Sequence, residues 1–240
     1  MNLIFTYSKY ALINLTRNRS AMMFGMLFPL LLFLTFGHPE TTNPTETIAS
    51  FVVFCNYAVQ TVMFLSLGMA ISMKRSSEWT IYLRTLPAPA YASIVGTLAE
   101  KTVSAFVAIT LIIIANILIN GMILSIPMTL YVVLAALAGG IPMGLLGVAF
   151  GYKLSPESGR SVFVFSNLIL LFSSFAIPAH GAWLYLRMIV PGYHWADIVM
   201  SQYTPNESTL MPWLWMMLYT ALFYALALWA YRSRRNLRRD

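Results

Sequence analysis

The chain has 240 residues with a formal net charge of +7; 59% of its residues are hydrophobic and only 10% are charged. Soluble domains carry about 25% charged residues, so this composition leaves no room for a soluble domain and indicates one integral membrane domain over residues 1–240. The single cysteine, Cys55, lies in an apolar run, which excludes a disulfide framework or a cysteine-based metal site within one chain.

The N-terminal stretch, residues 2–19, is amphipathic at helical spacing. Phe5 and Leu12 represent its apolar side, Lys9 its polar side, and Arg17 and Arg19 follow at its end. Such a pattern is typical of an interfacial helix that lies among lipid headgroups. The n-region of a signal peptide is the alternative, and it is disfavoured because no small-residue cleavage site follows.

Six apolar stretches are predicted to cross the membrane, since about 17–25 residues span the hydrocarbon core. They cover about residues 21–36, 48–73, 102–123, 128–150, 161–177 and 211–231. Residues 102–152 contain no charge, which is too long for one helix and predicts a hairpin of two spans. Its break is expected between Asn120 and Pro127, where Asn, Gly, Ser and Pro cluster.

The segment from Lys74 to Lys101 is polar and charged between two long apolar stretches. A short helix is predicted over about residues 76–86, because Pro87 disfavours helical backbone in the residue before it. One face of that helix is apolar at i, i+3, i+4 and i+7 spacing, and the rest carries polar residues. The apolar face consists of Trp79, Tyr82, Leu83 and Leu86, and Glu78, Arg84 and Thr85 lie outside it.

The distribution of basic residues sets the predicted orientation. In a six-span chain, fourteen of the fifteen Lys and Arg residues lie on one side and Arg187 alone lies on the other. The side richer in Lys and Arg is normally cytoplasmic, so both termini and the segment from Lys74 to Lys101 are predicted to be cytoplasmic. The positive charge is therefore explained by membrane orientation, and no nucleic-acid partner is expected.

Residues 178–210 form an aromatic segment on the predicted outer side. Trp183, Tyr185, Tyr193 and Trp195 alternate with apolar residues, and Pro191 divides the segment in two. Because Trp and Tyr are enriched at membrane interfaces, two short re-entrant helices in the outer leaflet are predicted. An ordinary surface loop is the alternative.

Glycines recur at spacings of four, three and four in the fourth predicted span, so they share one helix face. They are Gly140, Gly144, Gly147 and Gly151. Small residues on one face let helix backbones approach closely. The face is therefore predicted to pack against another helix, either within the subunit or in a second copy.

No catalytic machinery is recognisable in the chain. It lacks a GxxxxGK[ST] phosphate loop. His180, His194 and Asp197 are the one set of residues that could form a metal-binding, proton-transfer or catalytic site, although their spacing matches no metal motif. No charged residue lies in the middle of a span, which disfavours ion-coupled transport. Polar residues such as Gln60 and Asn167 are expected to form interhelical hydrogen bonds, and a substrate path is the alternative.

These features together resemble the membrane subunits of type-2 ABC exporters. The resemblance covers the whole topology, and its residue-level match lies in KRSSEWTIYLRTLPAPAYASIVGTLAEK, where Glu78, the stretch Leu83–Pro87 and Lys101 fit the pattern of that family. The short loop after the first span, residues 38–47, is smaller than the extracellular domain of the larger members.

The resemblance implies a fold, partners and a function. The fold is an all-α polytopic membrane protein in the cell membrane, with six spans, an N-terminal interfacial helix, a cytoplasmic coupling helix and outer re-entrant helices. Two copies of a separate ATPase would bind ATP and Mg²⁺, so this chain itself needs no cofactor and is not an enzyme. A second membrane subunit, identical or homologous, would complete a path for a drug, peptide or lipid-like substrate. An ion-coupled transporter or channel acting without an ATPase is the alternative function.

The same resemblance assigns residues to the ATPase contact. Glu78, Trp79, Tyr82, Leu83, Arg84 and Leu86 would dock in the groove of the ATPase. Glu157, in the loop before the fifth span, is expected to form a second contact.

Overall fold

The computed structural model describes residues 5–6, 9–13, 23–38, 44–76, 90–176, 185, 189–203 and 210–236. Every regular element in these ranges is helical, which confirms the all-α prediction for the described part of the chain. The α-helices are α1 Phe28–Phe36, α2 Pro44–Gln60, α3 Leu67–Ser76, α4 Ala90–Asn120, α5 Ile126–Lys153, α6 Pro156–Ala176, α7 Pro191–Met200 and α8 Leu210–Asn236. A π-helical turn, Met23–Leu27, precedes α1. A second π-helical turn, Thr61–Ser66, joins α2 to α3.

Four described helices are long and apolar enough to cross a membrane. They are Thr45–Lys74, Gly96–Asn120, Ile126–Lys153 and Leu210–Ser233. The other two predicted spans, residues 21–36 and 161–177, correspond to the shorter apolar helix Gly25–Phe36 and to α6, which begins earlier, at Pro156. At the N-terminus, residues 9–13 are helical, and Tyr10 and Ile13 are exposed there.

The predicted hairpin break has a local cause in the sequence. Helix α4 ends at Asn120, and Gly121 follows with a φ of 63°. Glycine adopts this left-handed conformation without steric cost and commonly ends helices. Helix α5 then begins at Ile126 with Pro127 in its first turn, where the missing amide hydrogen is not needed.

The long helix formed by α2, the π turn and α3 is the centre of the bundle. In its most apolar window 72% of the residues are buried, against 22% for the corresponding window of α8. Its fully buried side chains include Phe51, Cys55, Val59 and Phe64. Helices α1, α4, α5, α6 and α7 all contact it, so it is the element on which the others pack.

Helix α8 lies at the periphery and packs along α5. Its outward face is strongly apolar: Leu214, Met217, Leu218 and Leu222 are each at least half exposed. A soluble protein rarely exposes a contiguous apolar surface of this kind, so this face fits contact with lipid.

Helix α7 lies in the second half of the outer aromatic segment. Trp195 is only 1% exposed, and its Nε1 donates a hydrogen bond to the Ala135 carbonyl oxygen at 2.7 Å. A Cβ atom at Gly139 would overlap the Trp195 ring, so the glycine makes room for the indole. Trp195 therefore packs inside the bundle against α5, and its indole ring is not exposed to lipid. The first predicted re-entrant helix, around Trp183, lies outside the described residues apart from Tyr185, which is exposed.

Candidate functional site

The candidate site is the part of the polar Lys74–Lys101 segment that lies between α3 and α4, together with the ends of those two helices. Helix α3 ends at Ser76 and α4 begins at Ala90, so the two helices flank residues 77–89. The predicted ATPase-docking residues of this segment lie outside the described residues; they are Glu78, Trp79, Tyr82, Leu83, Arg84 and Leu86. The structure does describe the side chains at the base of the segment, where its flanking helices meet.

A hydrogen bond joins the two flanking helices. Lys74 Nζ, two residues before the end of α3, donates to Thr97 Oγ1 on α4 at 2.8 Å. Thr97 is buried. The base of the segment is therefore a defined contact between α3 and α4.

One helical turn further along α4, two charged side chains are buried together. Lys101 Nζ donates to Glu100 Oε1 at 3.0 Å, and the side chains are 4% and 7% exposed, respectively. Lys74 lies near enough to interact electrostatically with both charges. Burying an ion is costly unless it is paired, so Glu100 serves as the counter-ion of a small basic cluster. Neighbouring Ser104 adds a hydroxyl that donates to the Glu100 carbonyl oxygen at 2.9 Å.

The loop before α6 is tied to the same region. Ser72 Oγ on α3 donates to the Leu154 carbonyl oxygen at 3.0 Å, and Leu154 directly follows α5. Ser155 then caps α6, because its Oγ accepts from the Ser158 amide at 3.2 Å. Glu157 is exposed in the first turn of α6, where the helix dipole favours a negative charge. The structure thus connects the Glu157 loop to α3, the helix that leads into residues 77–89.

The glycine face of α5 packs on the central helix of the same chain. A Cβ at Gly147 would lie 2.6 Å from the Phe64 carbonyl oxygen, and one at Gly151 would lie 2.6 Å from that of Gly68. At Gly140 a Cβ would lie 2.6 Å from Val59 Cγ1, whereas at Gly144 its nearest neighbour would be 3.6 Å away. Along this face the α5 backbone therefore comes close to the central helix.

A polar network lies inside the bundle between α2 and α6. Gln60 Nε2 donates to Asn167 Oδ1 at 3.2 Å, and Asn167 Nδ2 donates to Tyr57 Oη at 3.2 Å and to Thr61 Oγ1 at 3.1 Å. All four residues are buried. The network sits where α2 passes into the π turn at Thr61, and π turns often occur at functional positions. Gln60 and Asn167 thus hydrogen-bond between helices in the described structure.

The histidines lie apart in the described residues. His38 Nδ1 is 2.6 Å from Asn120 Oδ1, and the Asn120 amide donates to Asn116 Oδ1 at 2.9 Å. His194 is buried and stacks on Trp215 with ring centroids 5.3 Å apart. His180 lies outside the described residues, and within the described ranges no group of three or more His, Cys, Asp or Glu is arranged to hold a metal ion.

Sequence reasoning did not find the pairing of Lys74 with Thr97 or the link from Ser72 to Leu154. Hydroxyl side chains in apolar helices give no signal of their partner, because the same residue serves equally well in any helix contact. For the buried ion pair, the sequence did offer a signal, because Glu100 and Lys101 are adjacent at the border of a charge-free stretch.

The sequence matches no protein-family model and no curated protein. The function of the chain is therefore inferred from its residues and their geometry.

Proposed function

We propose that the chain is the transmembrane subunit of an ATP-driven exporter of the type-2 ABC class, and that a separate ATPase docks on residues 76–86. The observation that carries the proposal is the polar segment between two apolar helices, on the side that holds fourteen of the fifteen basic residues in the six-span topology. A short amphipathic helix in that position would present an apolar face that suits a groove on a protein partner.

The contacts at the base of the segment support this role. A docking helix transmits movement only if its ends are fixed to the spans it moves. The hydrogen bond from Lys74 to Thr97 joins the two flanking helices, and the buried pair of Glu100 and Lys101 lies one turn further along α4. Movement of the segment would therefore pass into α3 and α4 together.

The Glu157 loop supports a second ATPase contact. Glu157 is exposed, and the hydrogen bond between Ser72 and Leu154 ties its loop to α3. An ATPase that bound both the docking helix and this loop would contact the chain at two neighbouring points on the same side of the membrane.

The complete assembly would contain two membrane subunits, identical or homologous, and two ATPase subunits that bind ATP and Mg²⁺. Each membrane subunit would have six spans and cytoplasmic termini in the cell membrane. By resemblance to the exporters, the first and fifth spans would line the interface between membrane subunits. Exposed apolar residues are present on both helices; they include Leu31 and Leu34 on α1 and Phe165 and Ile169 on α6. A drug, peptide or lipid-like molecule would cross there.

Aspartate substitutions on the apolar face test the docking helix. In the double variant Tyr82→Asp/Leu83→Asp, two charges would enter a contact that excludes water, and we expect loss of ATPase co-purification and of export. Because the segment is predicted to be outside the membrane, the variant should still insert at normal levels. The measurement is pull-down of the ATPase with the tagged membrane subunit, alongside an insertion assay.

A matched control places the same two charges elsewhere on the same predicted helix. Ile81 and Thr85 lie outside the apolar face, so Ile81→Asp/Thr85→Asp should retain the ATPase. Normal co-purification of the ATPase with the Tyr82/Leu83 variant would refute the docking assignment. Transport by the purified chain in vesicles without ATPase or nucleotide would instead identify an ion-coupled transporter or channel.

A further inference from the structure

A groove lies on the surface of α8 near its C-terminal end. It has a volume of about 450 Å³ and is lined by Ala225, Leu228, Trp229, Arg232 and Ser233. These residues follow i, i+3, i+4, i+7 and i+8 spacing, so they form one continuous strip of the helix surface. With a rise of 1.5 Å per residue, the strip is about 12 Å long.

The groove changes in polarity along its length. Ala225 and Leu228 make one end apolar, and Arg232 and Ser233 make the other end polar. Trp229 lies between them and is 58% exposed. Tryptophan is enriched where hydrocarbon meets headgroups, so this order of residues matches the order of acyl chain, interface and headgroup in a single lipid leaflet.

A basic residue from α5 completes the polar end. Lys153 Nζ lies 3.8 Å from the centroid of the Trp229 ring and donates to Ser233 Oγ at 3.0 Å. Arg232 is exposed and forms no salt bridge with a carboxylate in the described part of the chain. Arg232 and Ser233 line this end of the groove, and Lys153 is bound to Ser233 beside it. Further arginines follow in the sequence at positions 234, 235, 238 and 239.

We propose that this groove binds one anionic phospholipid. Arg232, Lys153 and Ser233 would hold the phosphate, since guanidinium, ammonium and hydroxyl groups are all suited to donate to phosphate oxygens. The acyl chain would lie along Trp229, Leu228 and Ala225. A free phosphate ion would leave the apolar half of the groove unused, and a zwitterionic lipid would leave the excess positive charge unbalanced. Basic pockets at the cytoplasmic membrane face commonly recognise anionic headgroups. The site is independent of the exporter proposal.

Competition between two lipids tests the site. The purified full chain in detergent is mixed with equal amounts of a phosphatidylglycerol and a phosphatidylcholine that carry the same acyl chains, and bound lipid is counted by native mass spectrometry. We expect phosphatidylglycerol to be retained about fivefold or more over phosphatidylcholine, the factor that one basic residue near an anionic headgroup contributes. Equal retention of the two lipids would overturn the proposal.

Two pairs of variants separate a built site from diffuse attraction. Arg232→Gln should bring the retention ratio towards one, whereas Arg160→Gln, which removes an exposed arginine at the start of α6, should leave it unchanged. Ala225→Phe should fill the apolar half and reduce retention of lipid, whereas Ala221→Phe, one turn away on α8, should not. Equal effects within the arginine pair, or full retention in Ala225→Phe, would show that the groove does not select a phospholipid.

Discussion

Glu100 and Lys101 are neighbours in sequence, and both are buried at the point where α4 leaves the polar segment. Charged residues are rarely buried unless they are paired. Lys101 Nζ lies 3.0 Å from the Glu100 carboxylate, and Lys74 is near enough to interact electrostatically with both charges. The pair places two charges in the first half of α4, a position that an apolar pair would fill at lower cost.

Replacing Glu100 by glutamine should therefore destabilise the fold. Glu100→Gln keeps the shape of the side chain and leaves Lys101 buried without its counter-ion, which costs about 3 kcal/mol in comparable cases. The exposed Glu157→Gln is the matched control and should change the free energy of unfolding little. Unfolding of each variant in mixed detergent micelles measures the difference.

The double variant Glu100→Leu/Lys101→Met separates stability from coupling. Removing both charges together should recover most of the stability lost in Glu100→Gln, because the buried Lys101 ammonium is removed together with its buried counter-ion. If the cluster transmits movement, this stable double variant should still bind the ATPase and export poorly. Full export by the double variant would show that the pair is structural only.

At the scale of the helices, the close contact between the glycine face of α5 and the central helix can be tested at two positions one turn apart. A Cβ at Gly147 would lie 2.6 Å from the Phe64 carbonyl oxygen and 2.9 Å from that of Met63, both of which are backbone atoms that cannot rotate away. At Gly144 the nearest atom would be a Leu67 methyl group at 3.6 Å, an ordinary contact.

Gly147→Ala should thus cost about 1–3 kcal/mol through overpacking. Gly144→Ala should be neutral or stabilising by up to about 1 kcal/mol, since alanine favours a helix more than glycine does. The midpoints of unfolding in a denaturing detergent titration measure both effects. Equal destabilisation by the two substitutions would contradict the backbone contact at Gly147.

How much of this was predictable differs from one feature to another. Charge-free length and the turn residues from Asn120 to Pro127 were enough to predict the hairpin, and periodicity was enough to define the glycine face. Neither could identify the partner of that face, because spacing along one helix carries no information about which helix packs on it. The burial of Trp195 was missed for the same reason, since an aromatic residue beside apolar ones looks alike in a core and at a membrane surface.

At the scale of the whole molecule, the predicted orientation can be tested by cysteine labelling. The native Cys55 is fully buried, so the wild-type chain should be silent to a membrane-impermeant maleimide. Ser125 and Ser155 are both exposed and lie at opposite ends of α5. We expect Ser125→Cys to be labelled in intact cells and Ser155→Cys only in inside-out vesicles. The reverse pattern would place the polar segment on the outer side and remove the basis for ATPase docking.

The contact between α5 and the central helix has a mechanical consequence. Along Gly147 and Gly151 the two helices meet through backbone atoms, so no layer of flexible side chains lies between them to absorb sliding. Helices α1 and α2, in contrast, meet through side chains such as the rings of Phe33 and Phe54, whose centroids are 5.5 Å apart. In any conformational change, α5 and the central helix should therefore move together as one rigid unit. Relative movement of helices should be concentrated at interfaces packed through side chains, such as that between α1 and α2.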